Sequence, residues 1–316
     1  MTQYTSRRAK KKRSIASAAV SIGSNILGAA GLLLVCQALY IAIATPRLLP
    51  PDNSGHDFDE DGLVAYYKDD EEESITESID ENESSEFRLV LVGDSPVEGI
   101  GNVSHAESLG GRTAMEFSKS LKRPVRYWSY GKSGLTAKGV QDEMIPNLQR
   151  ISSKSPVDAV VVSCGVNNTL IASSPQSFRK EVKDLLCSIR LSSDASRILV
   201  IELLDFDLMP FIPNPLRKIA AWHSRRLRNE MQSAVTDFKS KDKLGGTKLA
   251  PMPGIENVLE RRDECTWLNH LSQEERHKLT LQDFFAEDNF HPANIGNVLI
   301  GKILVETYID LIQAES

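Results

Sequence analysis

A serine and an Asp–His pair, far apart along the chain, are of types that together could perform nucleophilic catalysis. Ser95 directly follows the apolar run 88–93 and its small turn, while Asp288 and His291 lie near the C-terminus. A serine hydroxyl is a poor nucleophile unless a base takes its proton, and the base needs a carboxylate to orient it. We therefore predict Ser95 as the nucleophile, His291 as the general base and Asp288 as the orienting acid.

From Phe87 onward, apolar β-like runs alternate with helix-like segments. Strands are predicted at 88–93, 125–129, 157–163 and 197–204, and helices at about 106–122, 136–150, 175–191, 214–239 and 293–313. Apolar strands without alternation are typical of a parallel sheet covered on both faces, where sites form at the carboxyl ends of strands. We therefore expect a three-layer α/β/α domain of the flavodoxin-like kind, with a central parallel sheet.

Four short blocks resemble the motifs of the SGNH (GDSL-type) hydrolase family, in the same order. They are Gly93-Asp94-Ser95, the run from Gly131 to Thr136, Gly165-Val166-Asn167-Asn168, and Asp288-x-x-His291-Pro292. One three-residue match arises by chance in many proteins, but four in order, at predicted strand ends and in the last loop, are specific. The resemblance covers about residues 87–316. It implies a serine esterase that works through an acyl-enzyme intermediate.

The resemblance also implies an oxyanion hole. The backbone N–H groups of Ser95 and Gly134 and the side-chain amide of Asn167 would stabilise the developing negative charge, and losing one such donor typically costs on the order of 3 kcal/mol of barrier. One position departs from the family pattern, because the third block commonly ends in Asn-Asp and here ends in Asn167-Asn168. We expect the missing charge to have a modest effect on activity.

Taken singly, each of these residues has a structural explanation. Ser95 could cap a helix or turn, Asp288 and His291 could form a loop salt bridge, and Asn167 could be a turn residue. The functional interpretation rests on the constellation. Its alternatives are an acyltransferase that uses the same triad and a non-catalytic, membrane-tethered binding module. An α/β-hydrolase is disfavoured because Ser95 lacks the second glycine of a G-x-S-x-G elbow.

The predicted substrate is an ester-bearing small molecule, a lipid or an acylated sugar, with a modest acyl group. The loop 205–213 is apolar enough to suit an acyl chain, so we predict Phe206, Leu208, Met209 and Phe211 as pocket residues. No cofactor and no metal are expected. The four cysteines fit neither a metal cluster nor a disulfide framework, and a zinc group of Cys265, His270 and His277 would lack a fourth ligand.

Charge divides the chain into four parts. Residues 1–14 hold six Lys/Arg and no acid, whereas residues 52–86 hold fifteen Asp/Glu and one Lys. From Phe87 onward, 29 basic residues face 28 acidic ones. A near-neutral domain argues against nucleic acid as a partner. We predict a basic cytoplasmic tail at 1–25, an acidic, disordered linker at 45–86 and the hydrolase domain at 87–316, with the segment 26–44 considered separately.

The segment 26–44 has nineteen residues, no charge and one polar side chain, Gln37. As a helix it would span roughly 29 Å, about one hydrocarbon core. We predict a transmembrane signal-anchor, with the basic tail cytoplasmic and the catalytic domain extracytoplasmic or lumenal. The alternative is secretion after cleavage near Ala44, although the apolar run is longer than the usual signal sequence.

Overall fold

The structure is a computed structural model, which describes residues 33–34, 36–37, 40, 45–51, 61–66, 74–76 and 86–314, without 196, 210, 243, 245, 261 and 264. The predicted basic tail and most of the predicted signal-anchor at 26–44 lie outside these residues. No helix within the described ranges is both long enough and apolar enough to cross a membrane.

The core of the molecule is a seven-stranded, mostly parallel sheet. Its strands in spatial order are β2-β1-β4-β3-β5-β6-β7. Strands β3 to β7 run parallel, whereas β1 is antiparallel to both β2 and β4. The strands are β1 (Leu63–Tyr66), β2 (Ser74–Thr76), β3 (Phe87–Gly93), β4 (Val125–Gly131), β5 (Ala159–Val162), β6 (Arg197–Ile201) and β7 (Thr247–Ala250).

Helices cover both faces of this sheet. Helices α2 and α9 pack together on one face, and α3, α5 and α6 pack in a layer on the other. The helices are α1 (Ser95–Glu98), α2 (Leu109–Leu121), α3 (Ala137–Ser152), α4 (Val166–Leu170), α5 (Pro175–Ser192), α6 (Leu216–Lys239), α7 (Ile255–Glu260), α8 (Gln273–Lys278) and α9 (Asn294–Gln313). Short 3₁₀ turns occur at Phe206–Leu208, Thr266–Leu268 and Leu281–Phe284.

The three-layer α/β/α fold with a mostly parallel sheet is confirmed. All four predicted strands and all five predicted helices are present, because the strands are continuous apolar runs and the helices carry apolar residues at helical spacing. In β5, for instance, every residue is buried, as expected for a central parallel strand. Strand β7 was not predicted, since Thr247 to Ala250 contains a lysine and is too short to stand out.

The prediction of a disordered linker over 45–86 is wrong for residues 61–66 and 74–76. Here Leu63–Tyr66 forms β1, which lies between β4 and the edge strand β2, and Val64 and Ala65 are completely buried. The acidic composition of the segment concealed this short apolar run. The neighbouring segment 45–51 also contacts the domain, where the carbonyl of Leu49 accepts a hydrogen bond from Gly101 N. The folded unit therefore includes residues upstream of Phe87.

Candidate active site

The turn after β3 carries Ser95 at the carboxyl edge of the sheet. Ser95 is the first residue of α1, and its side chain is 5% exposed. Parallel pairing places Gly93 at the end of β3 beside Gly131 at the end of β4, and Lys132 N donates to Gly93 O at 3.3 Å. The loop after β4 is thereby held next to the turn that carries Ser95.

Glu98 of α1 fixes this loop. Both the backbone N–H and the hydroxyl of Ser133 donate to Glu98 Oε2, each at 2.6 Å. Gly131 has no room for a side chain, since a Cβ would lie 2.2 Å from Glu98 N. Sequence reasoning did not identify Glu98, because its contact partner lies in a different loop.

Gly134 ends this loop in a left-handed conformation, with φ +85°. Such a φ strains any residue with a Cβ, even though the space around Gly134 is open. Among the described residues, no acceptor bonds to the N–H of Gly134 or to that of Ser95. Both groups are therefore available as donors to a ligand.

Asn167 lies in α4, the short helix after β5. Its side-chain amide donates to Leu135 O at 2.9 Å, so it is tied to the residue that follows Gly134. One amide hydrogen remains for another acceptor. The three residues predicted for the oxyanion hole thus lie on segments that follow β3, β4 and β5 at the same edge of the sheet.

Asn168, the departure from the family pattern, is completely buried in a hydrogen-bond network. Its Oδ1 accepts from Ala137 N at 2.9 Å, and its Nδ2 donates to Ser173 Oγ at 3.1 Å and to Glu181 Oε2 at 2.9 Å. An aspartate here would set a second carboxylate against Glu181, and like charges at this distance repel. The amide is therefore the side chain that fits this neighbour.

Asp288 and His291 form a tight pair in the loop before α9. His291 Nδ1 and Asp288 Oδ2 are 2.5 Å apart, and Asp288 Oδ1 accepts from the backbone N–H groups of Phe290 and His291 at 3.0 Å each. Burial by itself would raise the pKa of Asp288, but these bonds to His291 and the loop outweigh it, so the pKa is lowered. The ionised carboxylate holds Nδ1 as a donor and leaves Nε2 to accept a proton.

Ser95 and His291 line the same cavity. No hydrogen bond joins their side chains within the described part of the chain; such contacts often tighten only in a substrate complex. The ring of Phe290 packs edge-on against His291 with centroids 4.8 Å apart, and Phe211 packs against Phe290 at 4.7 Å. These two rings limit the movement of the imidazole.

Asp94, between Gly93 and Ser95, is a buried carboxylate in a different environment. It is fully buried; its Oδ1 accepts from Ser163 Oγ at 2.9 Å, whereas Oδ2 has no partner among the described residues. Loss of hydration raises the pKa of Asp94 to about 6, against the opposing effects of the Ser163 bond and nearby His291. Sequence reasoning gave this residue no role.

The cavity beside Ser95 is narrow and strongly apolar, with about 110 Å³ of interior space. Its walls come mainly from the ends of β6 and β7, the loop before α9, and α9 itself, with Ile201, Leu203, Met252, Phe284, Leu299 and Ile300 as representatives. An apolar wall of this kind suits a hydrocarbon group.

The four residues predicted for the pocket have different positions. Met209 lines the cavity. Leu208 lines a separate polar pocket, Phe206 is completely buried in the core, and Phe211 reaches the site through Phe290. Of these four residues, Met209 alone lines the apolar cavity, because the loop 205–213 folds over a 3₁₀ turn that directs its side chains to different sides.

Cys164 also lines the cavity, as a second potential nucleophile. Burial, together with the charges of Asp94 and Glu181, raises the pKa of its thiol far above the ordinary range. A protonated thiol is a poor nucleophile, so Ser95 is the better candidate. Among the described residues, no three His, Cys, Asp or Glu side chains come together as a metal site.

Comparison with known proteins identifies the family. The profile of the GDSL-like lipase/acylhydrolase family matches residues 89–304, more than half of the chain. No curated protein matches.

Three of the solved structures that match this chain are described as lipolytic or esterase proteins. A GDSL-like lipase from Bacteroides ovatus is 14% identical, with a TM-score of 0.46 over 72% of this chain and 54% of that one. A member of the lipolytic G-D-S-L family from Veillonella parvula is 15% identical, with a TM-score of 0.45 over 71% of this chain and 100% of that one. AlinE4, an SGNH-hydrolase family esterase, is 18% identical, with a TM-score of 0.42 over 58% and 85%.

The family match extends from β3 to α9 and contains all four blocks on which the sequence resemblance rested. The chain therefore belongs to the GDSL-like lipase/acylhydrolase (SGNH hydrolase) family of serine carboxylic ester hydrolases.

Proposed function

We propose that this chain hydrolyses a carboxylic ester through an acyl-enzyme on Ser95. His291 takes the hydroxyl proton at Nε2 as Ser95 attacks the ester carbonyl, and then gives it to the leaving alcohol. Asp288 keeps the imidazole in the productive tautomer and stabilises its charged form. A water, deprotonated by the same His291, then releases the acid and restores the serine.

The observation that carries this proposal is the Asp288–His291 pair beside the cavity that Ser95 lines. The carboxylate of Asp288 also accepts two backbone N–H groups of its own loop, which hold it in place beside the imidazole. The N–H groups of Ser95 and Gly134, both without an acceptor in the described chain, are the proposed oxyanion donors together with Asn167.

The apolar cavity is the proposed site of the acyl group, which suits a lipid or an acylated sugar with a modest acyl chain. Water and an alcohol compete for the same acyl-enzyme, so transfer to an alcohol would use the same residues. Hydrolysis requires no second acceptor site and is the simpler assignment.

Labelling by a fluorophosphonate probe tests the nucleophile. The full chain in detergent should label covalently, and Ser95→Ala and His291→Ala should not, because the first lacks the attacking oxygen and the second lacks the base. Ser153→Ala, at the exposed end of α3, is the matched control and should label like the wild type. An unlabelled, folded wild-type protein would contradict the proposed function.

We also propose that the segment 26–44 is a signal-anchor that places the catalytic domain on the extracytoplasmic or lumenal side. The support is its length, its lack of charge and the basic cluster before it. In the described part of this segment, Gln37 bonds to the backbone at Asn214 and Leu216, so a helix packed on the domain is the competing arrangement.

Extraction of membranes with alkaline carbonate separates the two arrangements. An anchored chain should remain in the pellet, and its domain should resist protease in sealed vesicles. Release into the supernatant, or digestion from the cytoplasmic side, would contradict the anchor or its orientation respectively.

A further inference from the structure

A second pocket, polar and larger than the first, adjoins the apolar cavity. It has a volume of about 450 Å³ and lies between the N-terminal half of α6 and the loops after β6 and β7. Leu204, Met252 and Pro253 line both spaces, so the two spaces adjoin along these residues. A substrate with its ester at Ser95 that extended past these three residues would reach the polar pocket.

Four cations line the polar pocket, and three of them are neutralised. Arg225 bonds to Asp205 at 2.7 Å and to Asp207 at 3.0 Å, and Lys218 bonds to Asp207 at 2.8 Å. These pairs use both carboxylates that line the pocket. The charges of Arg225 and Lys218 are therefore already compensated by the protein.

The third cation, Arg228, pairs with Glu202 in the wall between the two spaces. Glu202 is 3% exposed and also accepts from Gln232 Nε2 at 2.6 Å and from Met252 N at 3.1 Å. This carboxylate is fully bonded, and it keeps Arg228 in place. The pair therefore has no charge left for a ligand.

Arg217 is the fourth cation, and among the described residues no carboxylate pairs with it. Within the described chain, its guanidinium has no hydrogen bond or ion pair, and its Nε is shielded from solvent without an acceptor. A buried N–H without an acceptor lowers the stability of the folded state, and a ligand that supplied an acceptor would remove this cost. Its planar fork matches a carboxylate or a phosphate.

The position of Arg217 in α6 strengthens this point. The first turn of this 24-residue helix holds Arg217 and Lys218 but no acid. Lys218 has Asp207 as its partner, whereas Arg217 lies at the positive end of the helix dipole without an anion among the described residues, and such a placement costs stability. The first four N–H groups of α6 already have acceptors, at Gln37 Oε1, Pro213 O and Pro215 O. The Arg217 side chain, and not the backbone, is therefore the free donor.

We propose that the polar pocket binds an anionic group, a carboxylate or a phosphate, at the end of the substrate remote from the ester, with Arg217 as its main contact. This assignment rests on the proposed function, since it needs the ester at Ser95. It makes Arg217 a specificity-determining residue: the apolar cavity accepts the hydrocarbon part, and Arg217 selects substrates that carry a distal negative charge.

Paired substrates test the assignment on the full chain in detergent. The 4-nitrophenyl half-esters of glutaric, adipic and suberic acid carry a distal carboxylate, and the pentanoate, hexanoate and octanoate esters are neutral references of similar length. The wild type should show a higher kcat/KM for at least one half-ester than for its neutral reference. Arg217→Gln should lower that ratio roughly tenfold or more, and Arg217→Lys should lower it less. Arg226→Gln, the same change on an exposed arginine of the same helix, is the control and should keep the ratio.

The outcomes separate this inference from the proposed function. Hydrolysis of neutral esters without any preference for the half-esters, or a ratio unchanged in Arg217→Gln, would overturn the inference and leave the esterase intact. Absence of both hydrolysis and fluorophosphonate labelling would instead overturn the proposed function. Inhibition of neutral-ester hydrolysis by inorganic phosphate, lost in Arg217→Gln and without a half-ester preference, would assign the pocket to a free anion and overturn its role in substrate selection.

Discussion

Two buried aspartates at the site, Asp94 after β3 and Asp288 before α9, have pKa values that are shifted in opposite directions. Both side chains have almost no solvent exposure, at 0% for Asp94 and 3% for Asp288, but Asp94 lies deeper among protein atoms. The pKa of Asp94 rises to about 6, whereas that of Asp288 falls below its ordinary value. The side chains differ in the donors around them: one hydroxyl for Asp94, and an imidazole and two backbone N–H groups for Asp288.

The comparison indicates that local donors, together with depth, decide whether a buried carboxylate stays ionised here. The loop at Asp288 turns its own backbone N–H groups onto Oδ1, which is possible because the donors are two and three residues further along the chain. At Asp94, the following N–H groups of Val97 and Glu98 bond to the backbone carbonyl instead. The helix that starts at Ser95 thus takes donors away from the Asp94 side chain.

The largest expected effect is that of Asp288→Asn on catalysis. The amide would keep the shape but not the charge, and it would favour the wrong imidazole tautomer. We expect kcat/KM for a nitrophenyl ester to fall about 10³–10⁴-fold. Glu287→Gln, on the exposed neighbour, should leave it nearly unchanged. A fall of less than about tenfold in Asp288→Asn would mean that Asp288 does not control His291.

The next effect concerns stability at Asp94. Its folded-state pKa is raised, so the carboxyl favours the folded state below about pH 4 and loses that contribution as the pH rises through about 6. Asp94→Asn removes the cost of an ionised group, and its unfolding free energy should exceed that of the wild type by up to about 3 kcal/mol above pH 7.

Urea unfolding at a series of pH values measures this difference. The gap between Asp94→Asn and the wild type should grow from pH 4 to about 6 and then level off. Asp194→Asn, at an exposed position, should change the unfolding free energy little at any pH. A gap that does not depend on pH would show that the ionisation of Asp94 is not its cause.

The smallest of the three effects extends the comparison to a third buried position. Asn168→Asp would create a carboxylate with the N–H of Ala137 and the hydroxyl of Ser173 as donors, facing Glu181. We expect a loss of unfolding free energy on the order of 2 kcal/mol at pH 8, and a smaller loss at pH 4.

Glu181→Gln in the same chain should recover most of this loss, because a neutral amide can donate to the new carboxylate. A double-mutant cycle on unfolding free energies measures the coupling between the two positions. An additive cycle would mean that repulsion by Glu181 is not the reason for the amide at 168.

Much of the fold was predictable because its elements are long and regularly apolar. The parallel strands are continuous runs of apolar residues, and the five long helices place apolar residues at helical spacing. Both patterns are visible in the local sequence. The short strand β1 was missed because its four residues lie in an acidic stretch and are stabilised by pairing with β4. The sequence did not show which wall Phe206, Leu208 and Phe211 would join, since loop geometry decides the position of each side chain.

By itself, the sequence determined the family, the layered fold and the candidate catalytic groups. The family and the catalytic groups are recognised from short sequence motifs, namely a serine at a strand end and an aspartate three residues before a histidine. The tertiary structure alone decided the charge states and the second pocket. Glu181 explains Asn168, Glu98 fixes the loop before Gly134, and Arg217 has no partner among the described residues while the other cations of the polar pocket are paired. The physical reason is that hydrogen-bond donors, carboxylates and buried walls meet across the sheet edge from segments that are distant in the sequence.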